Sequence, residues 1–144
     1  MSVFMVTVLL TGCSLLSYTN ITVISNGIEN EPYTIGLHSG GLLFSASGDF
    51  PNIPELFEAL PEIEYADDFE IKIEIWQGTW GAGYSINRFT LYSEEFEQVF
   101  VADKVEELPF PDVTGLYLLE IEIVFNNSIS RNWSAVAYVF KIRI

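Results

Sequence analysis

A single cysteine, Cys13, stands at the one place in this chain where residue types and spacing favour proteolytic processing. It follows an apolar run, residues 3–10, and then two small residues, Thr11 and Gly12. Small residues leave the backbone extended and uncrowded, as a peptidase requires. The residue types therefore make the segment just before Cys13 a suitable substrate for a peptidase.

The segment Leu10-Thr11-Gly12-Cys13 resembles the lipobox of bacterial lipoprotein signal peptides, in which an aliphatic residue and two small residues precede a cysteine. The resemblance implies that the Cys13 thiol carries a diacylglyceryl group and becomes the first residue of the mature chain. Residues 1–12 would then be a signal peptide, 13–17 a lipidated tether and 18–144 one folded domain. Two acyl chains anchor a protein stably, so we expect it at the cell membrane, on the extracytoplasmic face, with membrane lipid as a partner.

Two further features bear on the N-terminus. The apolar run is shorter than the roughly 20 residues that span a bilayer. Secretory signals open with positive charge, whereas the first lysine here is Lys72; we therefore expect the natural start to lie upstream of Met1.

Histidine and metal-ligand patterns give no recognisable site. His38 is the only histidine and stands beside Ser39-Gly40-Gly41, which predicts a turn, so we interpret it as a surface residue and not as a catalytic base. Zinc requires three or four His, Cys or carboxylate ligands, and no such spacing occurs. The acidic clusters at 67–68, 94–97 and 103–112 lack a calcium-loop motif. We expect no metal and no cofactor.

Carboxylates dominate the charge of the chain. The net charge of −14 repels nucleic acid and anionic lipid headgroups, which excludes nucleic acid as a partner and leaves cations or a basic protein. Two carboxylates across a cleft could also hydrolyse a glycosidic bond. With 20 acidic residues, the sequence does not select such a pair.

Aromatic residues flank three glycines in the loop 76–84, where Trp76, Trp80 and Tyr84 stand. Aromatic rings on a glycine-rich loop can stack on sugar rings or anchor a protein partner. Alternatively, Trp76 and Trp80 fold over the end of the core. If the chain has an aromatic binding patch, we expect Trp80 and Tyr84 to form it with Trp76, and Trp133 is a further candidate.

Period-two alternation positions these residues in an all-β domain. It is clearest at 69–76, 117–125 and 136–144, where it places Glu120 and Glu122 on a solvent face. Further strands are expected at 18–25, 33–38, 42–47, 84–93 and 96–102, separated by turn signals such as Asn26-Gly27. Prolines at 51, 54 and 61 predict a short helical or Pro-rich crossover. About eight short strands favour a sandwich or barrel.

The segment Asp112-Val113-Thr114-Gly115-Leu116-Tyr117 resembles the entry to the penultimate strand of immunoglobulin-like domains. The resemblance implies an antiparallel immunoglobulin-like β-sandwich with a tyrosine corner, and structural roles for Tyr117, Asp112 and Gly115. The chain departs from that family because Leu119 stands where its second cysteine would be, so the family's disulfide is absent.

Together these patterns predict a non-enzymatic binding or assembly module at the cell envelope, with a protein or glycan partner. Three alternatives remain open: a carbohydrate-binding or adhesive module using loop 76–84, a small envelope hydrolase using a carboxylate pair, and a regulator of a basic extracytoplasmic protein. Salt-sensitive binding would indicate the last of these.

Overall fold

The computed structural model describes residues 17–40, 45–47, 52–77, 82–128 and 133–144. Ten strands lie in these ranges: β1 (Ser17–Ser25), β2 (Ile28–Asn30), β3 (Tyr33–Gly40), β4 (Ser45–Ser47), β5 (Glu62–Glu64), β6 (Glu70–Gln77), β7 (Ala82–Ser93), β8 (Gln98–Ala102), β9 (Leu116–Asn127) and β10 (Trp133–Arg143). The described helical elements are α1 (Ile53–Ala59) and a 3₁₀ turn (Val105–Glu107). No described helix is long and apolar enough to cross a bilayer.

The smaller sheet has the order β2-β1-β6 and is antiparallel throughout. Its first hairpin turns at Asn26-Gly27, where both residues have positive φ (54° and 70°), as expected for a two-residue hairpin loop. Asp68 lies before β6 and accepts hydrogen bonds from the Asn26 and Gly27 amides at 2.7 and 2.6 Å. The predicted turn is therefore present and is held by a carboxylate distant in sequence.

The larger sheet has the order β4-β3-β10-β9-β7-β8, and β5 pairs in parallel with the end of β10. The neighbours along its main path are antiparallel. β9 and β10 are its central strands, and each pairs with a neighbour along both of its edges. β8 pairs only with β7 among the described strands and forms one edge.

The main core lies between the inner faces of the two sheets. Its buried members include Ile21, Val23, Phe89, Leu91, Leu119, Ile121, Ile123, Phe140 and Ile142. Ile71, Ile73 and Ile75 of β6 pack against them, as the alternation predicts. Burying each large apolar side chain contributes about 1.5–3 kcal/mol, so these contacts stabilise the packing of the two sheets.

Helix α1 covers part of the outer face of the larger sheet. Leu56 is buried against a second cluster that contains Leu118 and Val139. Pro54 stands in the first turn, where its missing N–H costs nothing. The Lys141 Nζ donates to the Phe57 carbonyl at 2.8 Å, satisfying one of the carbonyls left free at the end of the helix.

Register shifts explain why some strands show irregular alternation in the sequence. In β7 the shift between Ile86 and Arg88 changes the parity, so that Ile86 and Phe89 both face the main core. Further shifts occur where β10 pairs with β3 and where β7 pairs with β8.

The all-β sandwich prediction is confirmed. The expected strands and the crossover helix are present, whereas the three-residue strands β2 and β5 were missed. The order β8-β7-β9-β10 is also the order of strands C′, C, F and G in variable immunoglobulin domains. β3, which pairs with the other side of β10, departs from that pattern.

Candidate functional site

The residues predicted for lipidation and aromatic binding fall only partly within the described chain. Cys13 and Trp80 lie outside it. Trp76 pairs through its backbone with Tyr18 in β1. Tyr84 and Trp133, which are 48% and 41% exposed, lie at the same end of the larger sheet. Tyr84 is opposite Phe125 and Trp133 is opposite the next residue of β9, so they are on opposite faces and form no shared aromatic platform.

The turn before β9 brings together the residues predicted to be structural. The Tyr117 hydroxyl donates to the Thr114 carbonyl at 3.0 Å. Gly115 has φ +136°, and its amide and carbonyl bond reciprocally with Ile144, both at 2.9 Å. The Asp112 amide donates to the Pro109 carbonyl at 2.8 Å, while the Asp112 side chain is exposed. These contacts fasten the entry of β9 to the C-terminal end of β10.

The prediction that Glu120 and Glu122 face solvent is wrong. They are 2% and 9% exposed, because β9 is a central strand whose outer face is covered as well as its inner face. Glu120 stands in a row across the sheet, directly opposite Thr90 on one side and Val139 on the other. One Glu120 carboxylate oxygen and the Thr90 hydroxyl are buried without a hydrogen-bond partner among the described residues.

The electrostatic environments of the two carboxylates differ. Burial raises the pKa of the Glu120 carboxyl, opposed by the charge of Arg88; nearby Glu122 raises the pKa further, and a hydrogen bond from Tyr92 lowers it. Burial and the Glu120 charge likewise raise the pKa of the Tyr92 hydroxyl. Glu122 is ion-paired with Arg88 at 3.3 Å. The site therefore holds one carboxyl that favours protonation beside one that is paired with a cation.

In acid–base catalysis by two carboxyl groups, one is protonated and donates the proton while the other is ionised, and Glu120 and Glu122 differ in this way. Their position does not suit that chemistry, because a substrate could reach Glu120 only if the covering side chains moved. A small cavity of about 70 Å³ in the described chain lies elsewhere, lined in part by Asn30, Leu60 and Lys141. No group of three or more potential metal ligands occurs among the described residues.

The edge strand β8 presents a different kind of site. Val99 and Val101 are 50% and 44% exposed, and Val101 is directly opposite Thr90 on the outer face of the sheet. Phe100 packs against the main core and Ala102 is buried within it. The strand is thus fixed from the inner side by Phe100 and Ala102. Its outer side carries Val101 and, opposite Tyr92, Gln98, and Val99 is the extra residue between Gln98 and Phe100 at the register shift.

The hairpin that leads into β8 is held by backbone hydrogen bonds and by a contact with helix α1. The Ser93 amide donates to the Glu97 carbonyl, and the Ser93 carbonyl accepts from the Phe96 amide, both at 2.9 Å. Phe96 adopts φ 66° and its ring lies 5.7 Å from that of Phe57 in α1. The helix and the hairpin therefore support each other beside the exposed edge.

Acidic side chains stand at both ends of β8. Residues 94–107 contain six acidic residues and one basic residue, Lys104, while the strand itself carries no charge. The acidic side chains, Glu94, Glu95, Glu97, Asp103, Glu106 and Glu107, are exposed. The sequence showed both clusters and the strand between them, but not that this strand is an edge.

In comparisons with known proteins, the chain matches no protein family, no curated protein and no solved structure at a significant level of similarity.

Proposed function

We propose that this protein is a lipid-anchored, extracytoplasmic binding module that captures an extended segment of a partner protein at the β8 edge. The observation that carries the proposal is the exposure of Val99 and Val101 on an uncharged edge strand. The anchor is the Cys13 thiol, on the basis of its lipobox-like surroundings.

An edge strand offers a row of unpaired backbone N–H and C=O groups to any extended chain that approaches it. Binding by strand addition uses those groups for affinity and uses alternate side chains for specificity. β8 has five residues, or about 17 Å of backbone, which is enough to pair with one short strand.

Edges that are not used for binding are usually protected by charge. β6, another edge strand in the described chain, alternates Glu70, Lys72 and Glu74 on its outward face. β8 carries no charged residue, and neither do residues 33–37 of β3, which pair only with β10. β8 is distinguished by its two exposed valines. Its inner side chains are fixed in the core, so little conformational entropy remains to be lost on binding.

The short link between Cys13 and the domain suits a module that acts close to the membrane. Three residues lie between Cys13 and Ser17, the first residue of β1, so the four Cα-to-Cα steps of an extended link span at most about 14 Å. The high negative charge repels anionic headgroups and disfavours adhesion of the domain itself to the lipid surface.

Strand capture is tested with two probe peptides. The first alternates threonine and valine and has serine ends, and the second has the same sequence interrupted by proline, which cannot continue a strand. We expect the regular peptide to bind and to slow hydrogen exchange of the outward-facing β8 amides. Val101→Lys should abolish this protection, whereas Ile28→Lys, at an exposed apolar position on β2, should not. Equal binding of the proline-interrupted peptide, or protection away from β8, would overturn strand capture.

Anchoring is tested separately by intact mass and membrane fractionation of the full-length gene product beside a Cys13→Ala variant. We expect loss of residues 1–12, an added lipid mass and release of the variant from membranes. An unmodified full-length chain would refute the anchor and leave the edge proposal to its own test.

A further inference from the structure

The β8 edge lies between two acidic groups, and this arrangement indicates the chemistry of its occupant. We infer that the segment captured there is cationic, with lysine or arginine residues on both sides of about five residues of alternating apolar and small polar type. This inference rests on the proposed function, because it specifies the partner of the same edge.

The charge distribution around the strand supports a cationic partner. Glu94, Glu95 and Glu97 precede the strand, and Asp103, Glu106 and Glu107 follow it, all exposed. A strand laid along β8 would place the residues beyond its two ends beside these groups. Opposite charges at such a rim accelerate association and select the partner, even though each pair adds little affinity.

A second copy of this chain fits the same edge poorly. Antiparallel pairing of two β8 strands would place Glu97 of each copy near Asp103 of the other and bring the two acidic groups together. Like charges in that position oppose association and suppress the wrong partner. The apolar side chains alone would favour self-pairing, so the acidic rim provides the discrimination.

Val101 sets the pattern of the captured strand. It lies on the outer face opposite Thr90, so a small apolar or β-branched side chain of the partner would pack beside it. Val99, the extra residue at the register shift of β8, is 50% exposed and adds apolar surface at the same edge. Phe100 and Ala102 of β8 already fill the inner side of this edge, so the partner's side chains on that side need not be large.

The test compares three peptides that share an alternating threonine–valine centre and differ only in two lysines, two serines or two glutamates at each end. Affinity is measured by fluorescence anisotropy in low salt and in 1 M salt. We expect the lysine-ended peptide to bind about ten-fold more tightly than the serine-ended one in low salt, from several exposed charge pairs. The glutamate-ended peptide should bind least, and the differences should largely disappear in 1 M salt.

Matched variants separate local from general electrostatics. Changing Glu94 and Glu95 to glutamine should reduce the lysine preference, whereas changing Glu29 and Glu31, also exposed, should leave most of it intact. If both pairs have the same effect, the preference reflects overall charge and the inference is overturned.

The remaining outcomes are also distinguishable. Equal binding of the lysine-ended and serine-ended peptides would leave strand capture intact and refute the cationic partner. Failure of all three to bind would refute the proposed function itself. Dimerisation of the chain in low salt that Val101→Lys abolishes would identify a second copy as the occupant and overturn the inference.

Discussion

Replacing Glu120 with glutamine should stabilise this protein at neutral and alkaline pH. The Glu120 carboxyl is 2% exposed, and one of its oxygens has no hydrogen-bond partner among the described residues. Glutamine has nearly the same shape and retains an acceptor for the Tyr92 hydroxyl. Its amide can also donate to the Thr90 hydroxyl, which stands directly opposite and also lacks a partner.

The magnitude follows from the cost of burying an incompletely paired polar group, about 1–3 kcal/mol. For a chain of 144 residues, 1 kcal/mol corresponds to a shift of roughly 4 °C in Tm. We therefore expect Glu120→Gln to raise Tm by about 4–12 °C at pH 8. The attraction of Arg88 for an ionised Glu120 opposes this gain and places the result toward the lower end.

The pH dependence provides the sharper test. The native pKa of Glu120 is raised above its unfolded value of 4.5, so the native state binds more protons between the two values. The stability contributed by protonated Glu120 is complete below about pH 4.5 and is lost as the pH rises through the native pKa. The advantage of the glutamine variant should therefore be small at pH 4 and should grow at higher pH.

The assay is urea denaturation of wild type and variant from pH 4 to pH 8, read as the difference in the free energy of unfolding. Glu70→Gln, which removes an exposed carboxylate from β6, is the matched control and should show little difference at any pH. A variant that is less stable than wild type at pH 8, or a difference independent of pH, would refute the reasoning.

Four further substitutions probe the turns. Tyr117→Phe should cost about 0.5–1.5 kcal/mol in urea denaturation through loss of the hydrogen bond to Thr114, and an unchanged midpoint would mean that this bond adds no stability. Gly115→Ala should cost about 1–3 kcal/mol, because an L residue is strained at φ +136°, while its Cβ would meet the Tyr117 ring at van der Waals distance, 3.4 Å. Gly27→Ala, in open space at φ +70°, should cost less, and the reverse order would contradict this account. Asp68→Ala should accelerate hydrogen exchange of the Asn26 and Gly27 amides, which Asp68 accepts from. Because these hydrogen bonds lower the Asp68 pKa, the protection of the amides should be present above the unfolded pKa of Asp68 and lost as the pH falls through its native pKa. Protection that is independent of pH would argue against this role of Asp68.

The sequence predicted the inner faces of the main strands well, because side-chain alternation is a local property of an extended backbone. Ile71 and Ile73 in β6, and Phe140 and Ile142 in β10, pack toward the core as their spacing indicates. The Asn26-Gly27 turn could be predicted for a similar reason, since few residues tolerate positive φ at both central positions. β7 was less regular because one shift in register reverses its parity midway.

The candidate sites depended on which strands are neighbours. Alternation places Glu120 on the face opposite Leu119, but whether that face meets water depends on the sheet order and on what covers the sheet. The same local pattern therefore gives an exposed Glu70 in β6 and a buried Glu120 in β9.

By itself, the amino-acid sequence determined the all-β class, the turn at Asn26-Gly27, the excess negative charge, and the apolar run and small residues that precede Cys13. Only the tertiary structure decided that β9 is central and β8 is an edge, because strand neighbours are chosen by contacts between segments distant in the chain. Exposure of a backbone edge follows from that choice. Burial of the carboxylate follows from it together with the side chains that cover the outer face of the sheet, and neither is encoded in the local pattern of the strand concerned.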